Sequence, residues 1–138
     1  MPPRFLPHLL SDVATAVIKT SERRLGCSTS EARILMAMEE SRDATPTALA
    51  RAANLSKVDV SRVVARLISA RLISSKTCPQ DRRVRLLRLT TKGTVALAAV
   101  ADKSAKVQHE LLTVLAPHEV AGLLAALEKL QATAAAGE

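Results

Sequence analysis

Eleven Lys and Arg residues fall between positions 51 and 93, against two carboxylates, Asp59 and Asp81, so this block carries a net charge of +9. Residues 1–50 are balanced and residues 94–138 come to −2, which leaves the whole excess of +7 in one stretch. Cations at this density suit a polyanion, because Lys and Arg that neutralise phosphates release condensed counterions. The plainer alternative is a solvated basic face. Two sets of residues inside the block have spacing that can do more than attract charge. Counted from Ser56 at about 100° per residue, Val58, Arg62, Ala65 and Ser69 share one side of a helix, flanked by Ser61 and Arg66. Val60, Val63, Val64 and Leu67 share the other side as an i, i+3, i+4, i+7 apolar set. Further along, Asp81-Arg82-Arg83-Val84-Arg85 places three arginines around one carboxylate in a polar loop that begins at Cys78-Pro79.

Each of these residues has a definable use. The Arg62 fork can take guanine O6 and N7 together, or a phosphate. Val58 suits a thymine methyl or burial against the preceding helix. Lys57, Ser61, Arg66, Arg82 and Arg85 are expected on phosphates, which position a protein without reading sequence. Asp59, at the third position of a helix capped by Ser56, is expected to serve the helix end, with cytosine N4 as its other possible partner. Other chemistries find no support. His8, His109 and His118 are scattered, with no Cys, Asp or Glu at metal-ligand spacing. No nucleophile–base arrangement, phosphate-binding loop or dinucleotide fingerprint is present, so neither an enzyme nor a cofactor is expected. Cys78, between Lys76 and Arg82, sits where a thiol pKa can fall, but most cysteines act as small hydrophobes.

The elements that must hold these residues are legible from caps and periodicity. Pro7 and Gly26 bracket a first helix carrying Leu10, Val13, Val17 and Leu25. Ser28 with Glu31 forms a capping-box pattern opening a helix with Ile34, Leu35 and Met38 on one face. Thr45-Pro46 opens a short helix to Ala53, followed by Asn54 as a left-handed turn residue. Ser56 with Asp59 opens the basic helix, expected to run to about Ala70. Leu72–Thr77 and Val84–Thr90 read as two strands of a hairpin with a basic tip, Leu87 and Leu89 alternating onto one face. A long helix is expected from Thr91 to about Leu115, and Ala116-Pro117 starts a last one, with fraying expected from Ala132.

Composition narrows the class. At 138 residues the chain fits one domain, and Phe5 is its only Phe, Trp or Tyr, so the core must be aliphatic. Twenty-four alanines favour helix over strand. No apolar run is long enough to span a membrane. The start, Met1-Pro2-Pro3-Arg4, lacks the features of a signal peptide, and two cysteines are too few for a disulfide framework. A reducing cytoplasm is the expected setting.

Helix, tight turn, basic helix and hairpin is the order of a winged helix-turn-helix. The fold class expected is mainly α with a small β-hairpin wing. The run Asp81-Arg82-Arg83-Val84-Arg85-Leu86-Leu87-Arg88-Leu89-Thr90-Thr91-Lys92-Gly93 resembles the wing signature of the MarR family of bacterial transcriptional regulators, D-x-R-x-x-x-L-x-L-T followed by a Gly, at Asp81, Arg83, Leu87, Leu89, Thr90 and Gly93. Ser28–Glu31 resembles the family's second-helix start, and Leu55–Leu67 its recognition helix. The resemblance covers about residues 8–130 and implies a DNA-binding lobe over 28–93, with dimerisation helices in 1–27 and 94–138. It implies a homodimer on a pseudo-palindromic double-stranded DNA operator, with a ligand-responsive repressor as the expected mode. It places Arg83 at the wing tip, where the family's arginine enters the minor groove; Asp81, a carboxylate that phosphates repel, is expected to orient a wing arginine rather than meet DNA. It also implies that a small phenolic or anionic ligand releases DNA, with Arg4, His8, Arg23 and Met36 as pocket candidates among which nothing selects. Two departures stand out. Ala70-Arg71 occupies a turn where the family often has Gly, and Val58-Asp59 stands where it commonly has small hydroxyl residues. The alternative function is a winged-helix module whose basic face meets an acidic protein partner.

Overall fold

The computed structural model describes residues 4–137. Residues 1–3, at the start of the first expected dimerisation segment, and residue 138, at the end of the second, lie outside the described residues. Among the described residues the order is α1 (Leu6–Leu25), α2 (Thr29–Ala37), α3 (Pro46–Ala53), α4 (Lys57–Ser69), β1 (Ile73–Thr77), β2 (Arg85–Leu89), α5 (Thr91–Leu112) and α6 (Pro117–Ala135). They form two compact units, one running through Ser104 and one from Ala105. Among the described residues no single helix is long and apolar enough to cross a membrane.

The helix boundaries follow the cap chemistry. Gly26 ends α1 at φ 73° and Asn54 ends α3 at φ 52°, both left-handed. Ser28 Oγ accepts the Glu31 N–H at 3.0 Å, Thr45 Oγ1 the Ala48 N–H at 3.1 Å, and Ser56 Oγ the Asp59 N–H at 3.1 Å. Each bond satisfies one of the free amides of a first turn. The reciprocal half of the two expected capping boxes is not made. Glu31 turns instead toward Arg66 (3.5 Å), and Asp59 has one methylene fewer with which to reach back. A returning carboxylate is found at α6, where Glu119 Oε1 accepts the Ala116 N–H at 2.9 Å.

The core of the first unit is one aliphatic cluster. Ile34 and Leu35 of α2, Leu49 and Ala53 of α3, and Val60, Val63, Val64 and Leu67 of α4 meet Ile73, Leu87 and Leu89 of the hairpin. Val100 of α5 and Met38, just past α2, complete it. The strands are antiparallel in the register Ile73↔Leu89, Ser75↔Leu87, Thr77↔Arg85. Alternation puts these residues on the inward face, buried near α5 and open toward the tip. Ala44 adds a single separate rung to β2: its N–H and C=O both bond Leu87, each at 2.8 Å.

The Ala70-Arg71 turn is tight despite lacking glycine. Arg71 itself takes the left-handed conformation at φ 63°. The Leu72 N–H bonds the Leu67 C=O (2.9 Å), and Thr90 Oγ1 donates to the Arg71 C=O at 2.6 Å. Gly93 has its own reason. A Cβ there would fall on the Leu72 carbonyl oxygen, so only glycine lets α5 start against the beginning of β1.

Two helix ends differ from the periodicity. α5 stops at Leu112 rather than near Leu115, where the Thr113 hydroxyl bonds the Glu110 C=O at 2.7 Å and competes with helix continuation. α6 stays helical to Ala135 instead of fraying from Ala132, as its alanine-rich end favours. In α1 only Leu25 is buried, and Leu6, Leu9, Leu10, Val13, Val17 and Ile18 stand exposed. In α6 no residue is buried, and Leu123, Leu124, Leu127 and Leu130 are exposed.

Candidate nucleic-acid interface

The apolar set of α4 is fully committed to the core, which turns its opposite side outward. Lys57, Val58, Ser61, Arg62 and Ala65 together line one shallow open surface. It holds Val58, Arg62 and Ala65 of the face expected from the 100° projection and Ser61 of its flank, with Lys57 added and Ser69 and Arg66 outside it. Burial of Val58 against the preceding helix, one of its two expected uses, is overturned: the side chain is 65% exposed. It sits in the first turn of α4, on the side opposite the buried Val60, Val63, Val64 and Leu67.

A groove of about 270 Å³ runs alongside this strip. Lys57, Ser61 and Ala65 form one wall, Pro46 and Thr47 at the start of α3 another, and Arg85 of β2 closes it. Arg85 reaches the groove because it follows Leu89 and Leu87 on the inward face, at the point where the core has run out. Its Nε donates to Ser75 Oγ at 3.0 Å, which holds the guanidinium along the hairpin. The sequence placed Arg85 in the wing; that it shares a groove with Lys57 and Ser61 is a tertiary fact. Pro46 and Thr47 were not among the residues expected at the interface, and only their position before a basic helix could have suggested them.

The tip is closed by the Cys78 N–H on the Val84 C=O (2.9 Å) and the Val84 N–H on the Asp81 C=O (3.0 Å). Arg82 and Arg83 stand exposed on this turn. Asp81 grips Arg83 three ways. Its Oδ1 accepts the Arg83 backbone N–H (3.0 Å) and Nε–H (3.2 Å), and its Oδ2 accepts from Nη2 (3.3 Å). Those bonds from Arg83 hold the Asp81 carboxyl below the usual carboxylate range. The Arg83 side chain is still 91% exposed, so the carboxylate orients it without covering it.

Not every cation of the basic block is free. Arg66 leans on Glu31 of α2, which draws it to the edge of the strip. On the outward face of the hairpin Arg88 Nε and Lys76 Nζ, one from each strand, meet Asp43 at 2.8 and 3.3 Å. The Arg88 hydrogen bond above all lowers the Asp43 pKa. This clamp fixes the hairpin to the segment before α3, beside the Ala44 rung. Lys92 Nζ donates to the Ala70 C=O at 3.1 Å and so caps the end of α4.

The remaining sequence candidates lie elsewhere. Burial pushes the Cys27 thiol up, with Glu31 adding to the effect, which is the opposite of activation. Cys78 Sγ sits 3.2 Å from Gln80 Oε1. His8 packs edge-on against Phe5, with ring centroids 4.9 Å apart. Met36 is exposed on α2. Among the described residues no group of three or more His, Cys, Asp or Glu could hold a metal ion.

The MarR family model matches residues 25–84, from the end of α1 to the tip of the hairpin. Solved structures share the fold over nearly the whole chain. The PcaV transcriptional regulator from Streptomyces coelicolor, in complex with its natural ligand, superposes with a TM-score of 0.85 at 21% identity, covering 97% of this chain and 99% of that one. The S. aureus MepR–DNA complex gives 0.83 at 19% identity, over 95% and 99%. A mutant of MarR from E. coli complexed with operator DNA gives 0.81 at 22% identity, over 91% and 92%. Among curated protein sequences none matches this chain.

Proposed function

We propose, from the premise that residues 25–84 are a MarR-family winged helix-turn-helix, that this protein is a transcriptional regulator that binds duplex DNA in a sequence-specific manner. The observation that carries the reading is the outward strip of α4, Lys57, Val58, Ser61, Arg62 and Ala65, of which Lys57, Ser61 and Ala65 also line the groove bordered by Arg85 of the hairpin. A helix about 10–12 Å wide fits the major groove, and the strip then faces base edges. Arg62 is the base-reading arginine of this arrangement. Lys57, Ser61, Arg82 and Arg85 take phosphates, with Arg66 a weaker contributor because of Glu31. Arg83, held out by Asp81, enters the minor groove, where a narrow A·T-rich wall concentrates negative potential.

The working species in this reading is a homodimer on a pseudo-palindromic operator. The exposed apolar row of α1 and, in the other unit, that of α6 each offer a surface for a second copy to cover. A small phenolic or anionic ligand that releases DNA, and repression as the outcome, belong to the same proposal. They are supported by the likeness to structures of regulators solved with ligand and with DNA.

Titration with random-sequence duplex and with an acidic polypeptide, each at 50 and 200 mM salt, tests it. Contacts to about six to ten phosphates predict a loss of affinity for duplex of roughly 10³–10⁵ over that range. A flat response with duplex, or equal binding of the polypeptide, favours a basic module for an acidic protein partner.

A further inference from the structure

We propose that Val58 reads the 5-methyl group of a thymine lying within two base-pair steps of the guanine taken by Arg62. This rests on the DNA-binding reading above and specifies what the α4 strip selects. Between positions 28 and 93 the large apolar side chains that stand exposed are Met36 and Val58, and only Val58 sits in the basic strip. A surface meant for phosphates alone has no use for it. Its neighbours Lys57 and Arg62 bring a polyanion to the strip, and the one apolar group that duplex DNA offers in the major groove is the thymine methyl. Val58 is also the second residue of α4, and the N-terminal end of such a helix is the part that contacts base edges.

The helix sets the spacing. Val58 and Arg62 are four residues apart, about 6 Å along the axis at 1.5 Å per residue, which is less than two steps of about 3.4 Å. They lie about 40° apart around the helix, so both reach one groove floor. Ser61, between them, is short and can follow either base or backbone. Ala65, one turn on, carries only a methyl and lets the groove wall approach. The half-site that fits this strip has a thymine and a guanine one or two steps apart.

The probe is a duplex selected from a random library by the full-length protein, then resynthesised with each thymine replaced in turn by uracil, which removes only the methyl. Withdrawing one buried methyl corresponds to about a fourfold loss per half-site. One thymine per half-site should show it with the wild-type protein, one or two steps from a guanine whose 7-deaza analogue also weakens binding. V58A, with unchanged circular dichroism because the side chain is exposed, should bind thymine and uracil duplexes within twofold of each other. Wild-type protein indifferent to every uracil replacement, while salt-dependent duplex binding persists, overturns the proposal and leaves the DNA-binding reading intact. A uracil effect undiminished in V58A also overturns it, by assigning the methyl to another residue. Loss of duplex binding altogether, at any salt, defeats both.

Discussion

Gly93→Ala gives the sharpest energetic consequence of the lobe's construction. A Cβ at 93 meets the Leu72 carbonyl oxygen and lies 2.9 Å from the Leu72 carbonyl carbon and 3.2 Å from Leu89 Cδ2. The backbone at Leu72 cannot yield alone. Its C=O accepts the Thr90 N–H at 3.0 Å, and Thr90 Oγ1 holds the preceding C=O, of Arg71, at 2.6 Å. Relief requires the start of α5 to move by roughly 1 Å, which takes such bonds to or beyond their limit. Three are at risk, counting Lys92 on Ala70. At about 1 kcal/mol each they come to about 3 kcal/mol, and crowding of the buried Leu89 adds about 1–2. The expected loss is therefore about 4–5 kcal/mol, against a total of about 5–15 for an ordinary domain. Urea unfolding followed by circular dichroism suits a chain without Trp or Tyr, with variants compared at equal protein concentration because the stability of the proposed dimer would depend on it. Gly26→Ala is the control. Gly26 has φ 73° and nothing within 4 Å, so it loses only the left-handed preference, about 1 kcal/mol. Gly93→Ala within about 1 kcal/mol of wild type, or no worse than Gly26→Ala, would refute the collision argument.

Other consequences are as definite. Arg71→Gly should raise stability by up to about 1.5 kcal/mol, the left-handed penalty of about 1–2 less glycine's extra chain entropy of about 0.5–1; a lower urea midpoint contradicts it. Arg83→Ala should weaken duplex binding on all sequences, most with A·T-rich flanks, and Asp81→Asn should reproduce part of that loss by freeing the guanidinium; equal affinity on A·T- and G·C-rich flanks speaks against a minor-groove role. Asp43→Asn should loosen the hairpin and release two cations, so random-duplex affinity at low salt rises while preference for the selected site falls; parallel changes in both would sink the clamp. The lowered pKa values of Asp43 and Asp81 mean that their ion pairs stabilise the fold above the ordinary carboxylate range and are lost as pH falls through the folded values. The gap between the wild-type and Asp43→Asn urea midpoints should therefore hold from about pH 7 to pH 5 and close only as pH falls below the ordinary carboxylate range.

What could be read from the sequence was whatever is encoded locally. Ser28, Thr45 and Ser56 cap the helices they precede, Gly26 and Asn54 turn left-handed after theirs, and the 100° projection separates the core face of α4 from its open strip. Pairings across long separations were not legible. Glu31 with Arg66 and Asp43 with Lys76 and Arg88 are matters of tertiary proximity, and no periodicity reports them. The Ala44 rung is one residue long and leaves no alternation to detect. Arg71 shows the opposite failure: its residue type argues against a left-handed turn, and neighbouring hydrogen bonds override that preference. Gly93 belonged to the wing signature, but its reason, the Leu72 carbonyl, needed three dimensions.

The most direct test of the central claim is methylation protection on duplexes selected by the protein from a random library. With α4 in the major groove, guanine N7 should be protected in two half-sites related by a two-fold axis and about 10 bp apart, centre to centre. Adenine N3 in the minor groove should be protected in the flanks where the Arg83 tips lie, and Arg62→Ala should remove the guanine protection while leaving the flanks protected. Selected duplexes that show no guanine N7 protection, or protection that Arg62→Ala leaves unchanged, would contradict the placement of α4 on which the account depends.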